Sequence, residues 1–451
     1  MKRLLYDKLS QWKNSPKRLP LILRGARQVG KTYLLKAFGE TEFEEMHYLD
    51  FERDREQLAQ VFESSLSPQR LLNDLSFVVR TRIDPGKALL VFDEIQNCPR
   101  ALTSLKYFAE ELPNLAICAA GSLLGTSLST ESFPVGKVTF LDLYPMNFEE
   151  FLLNTADELE YQALQTVFEP NVASKIVHQK LWEHLKRYYV TGGMPSVVLT
   201  YLRSADTGIE TFNEVRDVQR QLLDTYMRDF NKHAGKVNAA HIGMVFEDIP
   251  RQISSVLDGS IQRYRFKDVV PGKRRFADLQ GPIHWLVKAG LTHIVYPCSK
   301  PELPLKAFTK SNMFSLRLLD VGLLGCILDL SPSTILLEDY GQTKGFFAEN
   351  FVACEWLASG ERDLYSWSHG ESEIEFLRII ENHVIPVEVK SGLRTRAQSL
   401  RQYIQKYSPP FAVKITANPF NTGDSRILNI PLYAAGMNWH RAIKQITQLM
   451  D

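Results

Sequence analysis

The chain of 451 residues lacks long apolar runs and a strong charge bias. No segment reaches about eighteen consecutive apolar residues, the length that a membrane-spanning helix needs. The formal net charge is only +1, so a nucleic acid or membrane partner would have to be met by a local patch. The first residues, MKRLLYDKLSQWKNSPKR, lack the apolar core of a signal peptide. We therefore expect a cytoplasmic protein with no membrane partner.

Cysteine is also scarce. The five cysteines are odd in number and far apart, which predicts reduced core residues rather than disulfides or metal ligands. Hydrophobic residues make up 44% and charged residues 23% of the chain, as in ordinary globular proteins. This length has room for about two to four domains.

What the sequence does contain is a phosphate-binding motif. Residues 25–32, GARQVGKT, fit the pattern G-x-x-x-x-G-K-[ST], follow an apolar run and open a helical pattern. In that context backbone N–H groups wrap phosphates, Lys31 reaches the outer two phosphoryl groups and Thr32 ligates Mg²⁺. The predicted cofactors are ATP and Mg²⁺, and the residues predicted to hold them here are Gly25, Ala26, Arg27, Gln28, Val29, Gly30, Lys31 and Thr32.

A second element supplies two acids. The apolar run from Ala88 to Phe92 ends in Asp93 and Glu94, which predicts a strand buried on both faces. Asp93 is expected to hold the Mg²⁺ shell opposite Thr32, and Glu94 to polarise the attacking water. Because hydrolysis needs both a metal and a group that orients water, the pair predicts an ATPase.

Residues 19–145 alternate apolar runs with helical patterns, which predicts an α/β fold with a parallel sheet and ligands at the carboxyl ends of the strands. The five expected strands are Leu19–Leu23, Glu45–Phe51, Ala88–Phe92, Leu115–Ala120 and Val138–Tyr144. Ser122 follows the fourth run, on the strand expected between the two motifs. It either senses the outermost phosphate as a catalytic residue or belongs to a strand-ending turn.

Helical patterns follow from residue 145 and predict a helical lid. The break Thr191-Gly192-Gly193-Met194-Pro195 interrupts them. This turn either joins two helices or contacts the nucleotide and transmits its state to the lid.

A third region combines two helical patterns with two short strand-like runs, an order typical of a winged helix. Between the helices, residues 263–275 hold six basic residues and one acid, interleaved with Tyr264 and Phe266. This patch is either a nucleic-acid face or a solvated basic turn. Its basic members are Arg263, Arg265, Lys267, Lys273, Arg274 and Arg275.

The last region carries Glu388-Val389-Lys390, which places an acid and a lysine on the same face of one strand. Glu375 lies on the preceding strand of an expected hairpin, and Glu349 lies on a helix. The three acids could share a divalent metal, with Lys390 beside it, as in a nuclease. The alternative is a cross-strand ion pair.

Several strings together resemble one family: ARQVGKT, LLVFDEIQ, PMNFEEFL, TGGMP, FEDIPRQI, LLDVGLL, FFAENFV and IPVEVKSG. They are similar to bacterial and archaeal AAA-type ATPases of the ASCE, P-loop class that carry a C-terminal restriction-endonuclease-like domain of unknown function. The resemblance covers nearly the whole chain. It implies a P-loop ATPase core (1–145), a helical lid (146–230), a winged-helix-like domain (231–330) and a PD-(D/E)xK nuclease-like α/β domain (331–451).

The resemblance also implies that Pro195 belongs to a GxP turn placed against the nucleotide. The chain departs from the usual pattern of PD-(D/E)xK nucleases at one position, because Glu375 stands where such nucleases usually have Asp. The first functional hypothesis is a Mg²⁺-dependent ATPase coupled to a DNA-binding half, with nuclease activity left open. The alternative is a slow nucleotide-dependent signalling switch that binds a protein partner. A homo-oligomer stays open, since an arginine finger can act across a subunit interface.

Overall fold

The computed structural model divides the chain into two compact units. The first comprises Met1–Tyr144 with Lys288–Gly290, and the second Pro145–Val287 with Leu291–Asp451. The residues that the structure describes are 1–121, 134–169, 174–204, 208–255, 263–341, 343–369, 372–392, 398–421, 426–440 and 442–444.

A five-stranded sheet forms the centre of the first unit. Its strands are β1 (Leu21–Arg24), β2 (Glu45–Asp50), β3 (Ala88–Asp93), β4 (Ala116–Gly121) and β5 (Thr139–Asp142). They lie in the order β2-β3-β4-β1-β5, and every neighbouring pair is parallel. The predicted parallel sheet is confirmed, and β4 lies between β1 and β3 as expected. The carboxyl ends of β1 and β3 therefore meet at one edge of the sheet.

Helices pack beside this sheet. Within the described residues they are α1 (Leu5–Lys13), α2 (Lys31–Glu42), α3 (Arg55–Ser64), α4 (Pro68–Val78) and α5 (Pro99–Glu111), with a 3₁₀ turn at Ile95–Asn97. Proline opens α4 and α5, where its missing N–H has no helical partner to lose. Strand β3 is buried along its whole length because an apolar core covers it. Burial on both faces explains its continuous apolar run.

The second unit begins with helices. Its described helices are α6 (Phe148–Thr155), α7 (Glu158–Gln165), α8 (Lys175–Thr191), α9 (Pro195–Arg203), α10 (Ile209–Ala234), α11 (Lys236–Ser255), α12 (Phe276–Lys288), α13 (Val321–Ile327), α14 (Pro332–Leu336), α15 (Thr343–Ser359) and α16 (Gln398–Tyr407), with 3₁₀ turns at Leu305–Phe308 and Leu432–Ala434. The helical patterns expected after residue 145 are thus present. Asn147 caps α6 by accepting the backbone N–H of Glu150.

A seven-stranded mixed sheet completes the second unit. Its strands are β6 (Thr292–Cys298), β7 (Ser315–Leu318), β8 (Leu364–His369), β9 (Ser372–Ile380), β10 (His383–Val389), β11 (Ala412–Thr416) and β12 (Ile427–Pro431). They lie in the order β12-β11-β10-β9-β8-β6-β7. The expected hairpin of β9 and β10 is antiparallel, whereas β10, β11 and β12 run parallel.

The expected two-stranded ribbon is present as β6 and β7, but it is not a separate wing. Strand β6 also pairs in parallel with β8, so the ribbon forms one edge of the larger sheet. Pairing with β8 satisfies the backbone groups that a free ribbon would leave exposed. The predicted division at residue 331 therefore separates strands that share one sheet.

No helix among the described residues combines the length and the apolar character needed to cross a bilayer.

Candidate nucleotide-binding site

The phosphate loop joins β1 to α2. Gly25 has a φ of 153°, and a Cβ at this position would lie 2.2 Å from the carbonyl oxygen of Leu143. The backbone of β5 thus approaches so closely that only glycine fits. Gln28 adopts a left-handed φ of 67°, a costly conformation that occurs often at functional sites. The loop is held in one tight, preformed shape.

Lys31 is the first residue of α2, and its side chain is 6% exposed. Its Nζ donates to the carbonyl oxygens of Gly25 at 2.9 Å and Ala26 at 2.8 Å. Burial lowers the pKa of Lys31 to about 8, while the carboxylates of Glu94 and Asp93 act in the opposite direction. The ammonium is therefore kept inside the loop that the motif assigns to phosphates.

Thr32 and Asp93 meet directly. The Thr32 hydroxyl donates to Asp93 Oδ2 at 2.6 Å, and the Tyr48 hydroxyl donates to the same oxygen at 2.7 Å. Asp93 is 4% exposed, and its Oδ1 accepts the backbone N–H of Glu94 at 3.0 Å. A hydroxyl and a carboxylate oxygen side by side fit Mg²⁺, which takes one or two protein oxygens and completes its shell with phosphates and water.

Glu94 follows Asp93 in a left-handed conformation with a φ of 51°. Burial raises the pKa of Glu94, although the amide of Gln96 donates to its Oε2 and acts in the opposite direction. A raised carboxyl pKa moves toward the range in which a general base works near neutral pH. Glu94 is thus suited to orient water and to accept a proton.

The other predicted residues of the loop differ in their burial. Ala26 and Val29 are buried, Arg27 is half-buried, Gln28 is exposed and Gly30 precedes α2. Ser122 lies outside the described residues, so its predicted role as a phosphate sensor stays a prediction.

Pro195 opens α9 in the second unit. The turn before it is closely packed within that unit: Gly193 donates its N–H to Asp320 Oδ2 at 2.6 Å and accepts the N–H of Met146 at 2.7 Å. A Cβ on Gly193 would lie 1.9 Å from the Met146 carbonyl oxygen. Close backbone packing explains the glycine, and contact of Pro195 with nucleotide stays a prediction.

Two supporting residues were missed by sequence reasoning. Arg3 is 8% exposed and donates to the carbonyl oxygens of Val29 at 2.9 Å and Tyr144 at 2.6 Å. Tyr48 holds Asp93, and burial together with this hydrogen bond raises the pKa of its hydroxyl. No local pattern marks either residue, because each acts on a segment far away along the chain.

The basic patch lies on the second unit. Lys273 is half-buried, and the other five basic residues are exposed: Arg263, Arg265, Lys267, Arg274 and Arg275.

The aromatic residues of the patch point to a different role from its cations. Phe266 contacts Tyr264 at 5.6 Å, Phe276 at 5.6 Å and Phe314 at 5.9 Å between ring centroids. These rings pack against one another, so they hold the turn together rather than offer free faces for stacking. Of the cations, Lys267 lies 3.8 Å from the Asp268 carboxylate.

The acidic residues predicted on the second sheet and its helix form ion pairs. Lys390 Nζ lies 2.6 Å from Glu375 Oε1 and 3.8 Å from Glu388 Oε1. Glu349 instead pairs with Arg317 at 2.9 Å, and both side chains are buried. Burial and the neighbouring Glu375 raise the pKa of Glu388 to about 7. Burial alone would lower the pKa of Lys390, but the two carboxylates raise it overall.

Each acid of the cluster has a cation of the chain beside it: Arg317 for Glu349, and Lys390 for Glu375 and Glu388. Among the described residues, no group of three or more His, Cys, Asp or Glu side chains could hold a metal ion. The role of Glu349, Glu375 and Glu388 as joint metal ligands beside Lys390 stays a prediction.

Comparisons with known families give a match of known type for the first part of the chain. Residues 17–152 match the family model of an AAA domain. Residues 182–334 and 344–433 match two models described as domains of unknown function, DUF8612 and DUF4143. A comparison with curated proteins gives no match. The restriction-endonuclease-like domain thus stays a prediction.

Solved structures show weak likenesses. A Walker-type ATPase of Pyrococcus abyssi is 19% identical with a TM-score of 0.44, covering 72% of this chain and 94% of that one. The Orc1 protein of Aeropyrum pernix, solved in complex with DNA, is 16% identical with a TM-score of 0.31, covering 74% and 90%. The RuvB Holliday junction branch migration motor of Thermotoga maritima is 14% identical with a TM-score of 0.28, covering 67% and 89%.

Because these TM-scores are low, the assignment depends on the family model and on the geometry of the loop. The model spans the phosphate loop, Asp93 and Glu94. The sheet is parallel, and its strand order brings the loop and the two acids to one edge. Residues 17–152 are thus similar to an AAA domain, and the parallel sheet with its phosphate loop matches a P-loop fold.

Proposed function

We propose that the chain binds ATP together with Mg²⁺ and hydrolyses it. The observation that carries this proposal is the direct contact of Thr32 with Asp93 at 2.6 Å, with Lys31 buried in the same loop. A phosphoryl-transfer site needs three groups: a metal-ligating pair, a phosphate-binding cation and a neighbouring acid. Candidates for all three lie at one edge of the sheet.

Each residue has a definite task in this proposal. Backbone N–H groups of the loop and the Lys31 ammonium bind the phosphates and fix their orientation. Mg²⁺, held by Thr32 and Asp93, would neutralise charge that develops on the transferred phosphoryl group. Tyr48 keeps Asp93 in place, and Glu94 orients the attacking water.

The test is release of phosphate from ATP with Mg²⁺ and with the metal chelated. We expect turnover only with Mg²⁺. Lys31→Ala should weaken ATP binding and turnover together, because the ammonium contacts phosphates before and during the reaction. The matched control is Lys8→Ala, since Lys8 is an exposed lysine of α1 in the same unit. Turnover that survives chelation, or that Lys31→Ala leaves intact, would contradict the proposal.

We further propose that the basic patch contacts the phosphates of DNA, so that nucleotide state and DNA binding are coupled. Five exposed cations beside a packed aromatic cluster support backbone contact rather than base stacking. DNA should therefore bind with little sequence preference and weaken steeply with salt.

The informative variant is Arg274→Ala with Arg275→Ala. The slope of log affinity against log salt should fall by about one unit for each contact removed. The control is Arg80→Ala with Arg82→Ala, a pair of exposed arginines outside the patch. An unchanged slope would identify the patch as a solvated turn.

The alternative function, a slow signalling switch with a protein partner, makes different predictions. It is favoured by ADP that copurifies tightly and by turnover that DNA does not stimulate. The same assay, run over a range of protein concentrations, also tests the homo-oligomer, because a site completed by a neighbouring subunit loses turnover per subunit on dilution.

For the acid–lysine cluster we propose a structural role rather than metal-dependent cleavage. Incubation with plasmid, ATP and either Mg²⁺ or Mn²⁺ should leave the DNA intact. Cleavage that Lys390→Ala abolishes would instead establish a nuclease.

A further inference from the structure

The second unit holds a cavity of about 510 Å³ that the proposed ATPase site does not use. Its lining includes Lys175, His178 and Trp182 of α8, Lys344 of α15, and Ser391 and Gly392 after β10. The volume is in the range of pockets that bind small organic ligands.

Two lysines of the lining are placed to hold an anion. Lys175 and Lys344 lie in the first turns of α8 and α15, where unpaired backbone N–H groups already carry positive partial charge. Lysine at these positions opposes the helix dipole, an arrangement that a bound anion would relieve. Two acids also line the cavity: the carboxylate of Glu183 pairs with Lys186 at 2.6 Å, whereas the half-buried Glu338 forms no ion pair within the described residues. Within the described residues, neither cavity lysine forms an ion pair.

The second feature is a flat aromatic surface. The rings of His178 and Trp182 lie 6.2 Å apart with an angle of 29° between their planes. His178 Nδ1 is 3.0 Å from the Tyr433 hydroxyl, which fixes the imidazole, and burial lowers the pKa of His178. The two rings thus lie side by side on one helix, and Trp182 is only half-buried. Such a surface suits a planar ring.

The floor of the cavity lies at a favourable place in the sheet. Ser391 and Gly392 follow the carboxyl end of β10, and Ala417, also in the lining, follows that of β11. These two strands are adjacent and parallel. Ligands of α/β sheets bind outside the carboxyl ends of such strands.

We propose that this cavity binds a phosphate-bearing nucleotide unit, either a free mononucleotide or the phosphorylated end of a single strand. Its phosphate lies between Lys175 and Lys344, and its base packs against Trp182. One aromatic platform and two cations, each in the first turn of its helix, match one nucleotide, whereas a plain anion would not need the rings. The site is separate from the phosphate loop, so it does not depend on the proposed hydrolysis.

The test uses two probes on the Lys31→Ala protein, in which the phosphate loop is disabled. One probe is AMP, followed by calorimetry. The other is a short oligothymidylate labelled at its 3′ end, with a 5′-phosphate or a 5′-hydroxyl, followed by fluorescence anisotropy. The variants are Lys175→Ala with Lys344→Ala, and Trp182→Ala. The matched control is Lys186→Ala, a lysine of the same helix whose partner is Glu183.

We expect the 5′-phosphate to strengthen binding and both cavity variants to weaken it about tenfold or more, while Lys186→Ala has little effect. Trp182→Phe should restore much of the affinity, which separates loss of the ring from loss of folding. Displacement of the oligonucleotide by AMP indicates a free nucleotide, and tight binding of the strand alone indicates a strand end.

Three results would overturn the proposal. They are no binding of either probe, binding that the lysine variant leaves unchanged, and binding that needs the lysines but not the ring of Trp182. Binding that only Arg274→Ala with Arg275→Ala weakens belongs to the basic patch, and it also counts against the cavity. Hydrolysis of ATP by the otherwise native chain should be the same with and without the cavity variants, so failure of one proposal does not imply failure of the other.

Discussion

Acidic residues lie on strands of both sheets, but their partners differ. In the first unit Asp93 accepts hydrogen bonds from the hydroxyls of Thr32 and Tyr48 and, within the described residues, forms no ion pair. In the second unit Glu375 and Glu388 share the ammonium of Lys390. Hydroxyl partners leave the carboxylate charge for a metal to neutralise, whereas a lysine already neutralises it. The same residue type therefore suits catalysis in one place and structure in the other.

The strongest test of this comparison is Glu94→Gln. A positioned general base contributes about 10²- to 10⁴-fold to rate, so turnover should fall by that factor. The amide keeps the shape of the side chain, and ATP affinity should therefore stay close to that of the unmodified chain. Turnover and nucleotide affinity measured side by side check both expectations. If Glu94→Gln lowers affinity as much as Lys31→Ala does, the proposed separation of roles is wrong.

In the second unit the corresponding change is Lys390→Ala. Removing the ammonium leaves Glu375 and the buried Glu388 facing each other, which we expect to lower the free energy of unfolding by about 1–3 kcal/mol. This range is below that of a fully buried pair, because the Lys390 side chain is 37% exposed. Urea unfolding measures the change, with the exposed Lys310→Ala as control. Unchanged stability would mean that the lysine is not structural.

The pH dependence of stability also tests the structural role of the acid–lysine cluster. The pKa of Glu388 is raised from 4.5 to about 7, so the folded chain holds this proton more tightly than the unfolded chain. The stabilising contribution of the protonated acid is complete below about pH 4.5 and is lost as pH rises through about 7. Glu388→Gln should therefore gain stability relative to the native chain between these values, by roughly 1–3 kcal/mol. Unfolding curves of the two proteins, measured at both ends of this pH range, check the expectation. If their free energies of unfolding differ by the same amount at both pH values, the raised pKa of Glu388 is wrong.

The first sheet could be predicted well because its signals are local. Each expected strand begins and ends within two residues of the observed one; Leu115–Ala120, for example, is observed as Ala116–Gly121. Burial on both faces of a parallel sheet gives continuous apolar runs, and the phosphate loop is a contiguous motif. The residues of that motif needed no knowledge of distant contacts.

The second unit was harder because its important contacts join distant segments. The partner of Glu349 is Arg317, 32 residues earlier, and no periodicity of the sequence indicates that pair. The first unit has one such contact that sequence reasoning also missed: Arg3 reaches Val29 and Tyr144, which are 26 and 141 residues away. Strand alternation placed Glu388 and Lys390 on one face correctly, but it could not show that the lysine would lie between the acids.

The smallest expected effect comes from an exposed ion pair that serves as a reference for Lys390 and Glu375. Arg24 and Asp142, at the carboxyl ends of β1 and β5, form two hydrogen bonds of 2.8 Å, with side chains 44% and 43% exposed. Solvent screens such a pair, so a double-mutant cycle of Arg24→Ala and Asp142→Ala should give a coupling energy of about 0.2–1 kcal/mol that shrinks with added salt. The cycle also cancels the contact of Arg24 with the Phe140 ring. The same cycle on Lys390 and Glu375 should give a larger coupling energy that depends less on salt. Equal coupling energies for the two ion pairs would show that burial does not distinguish one pair from the other.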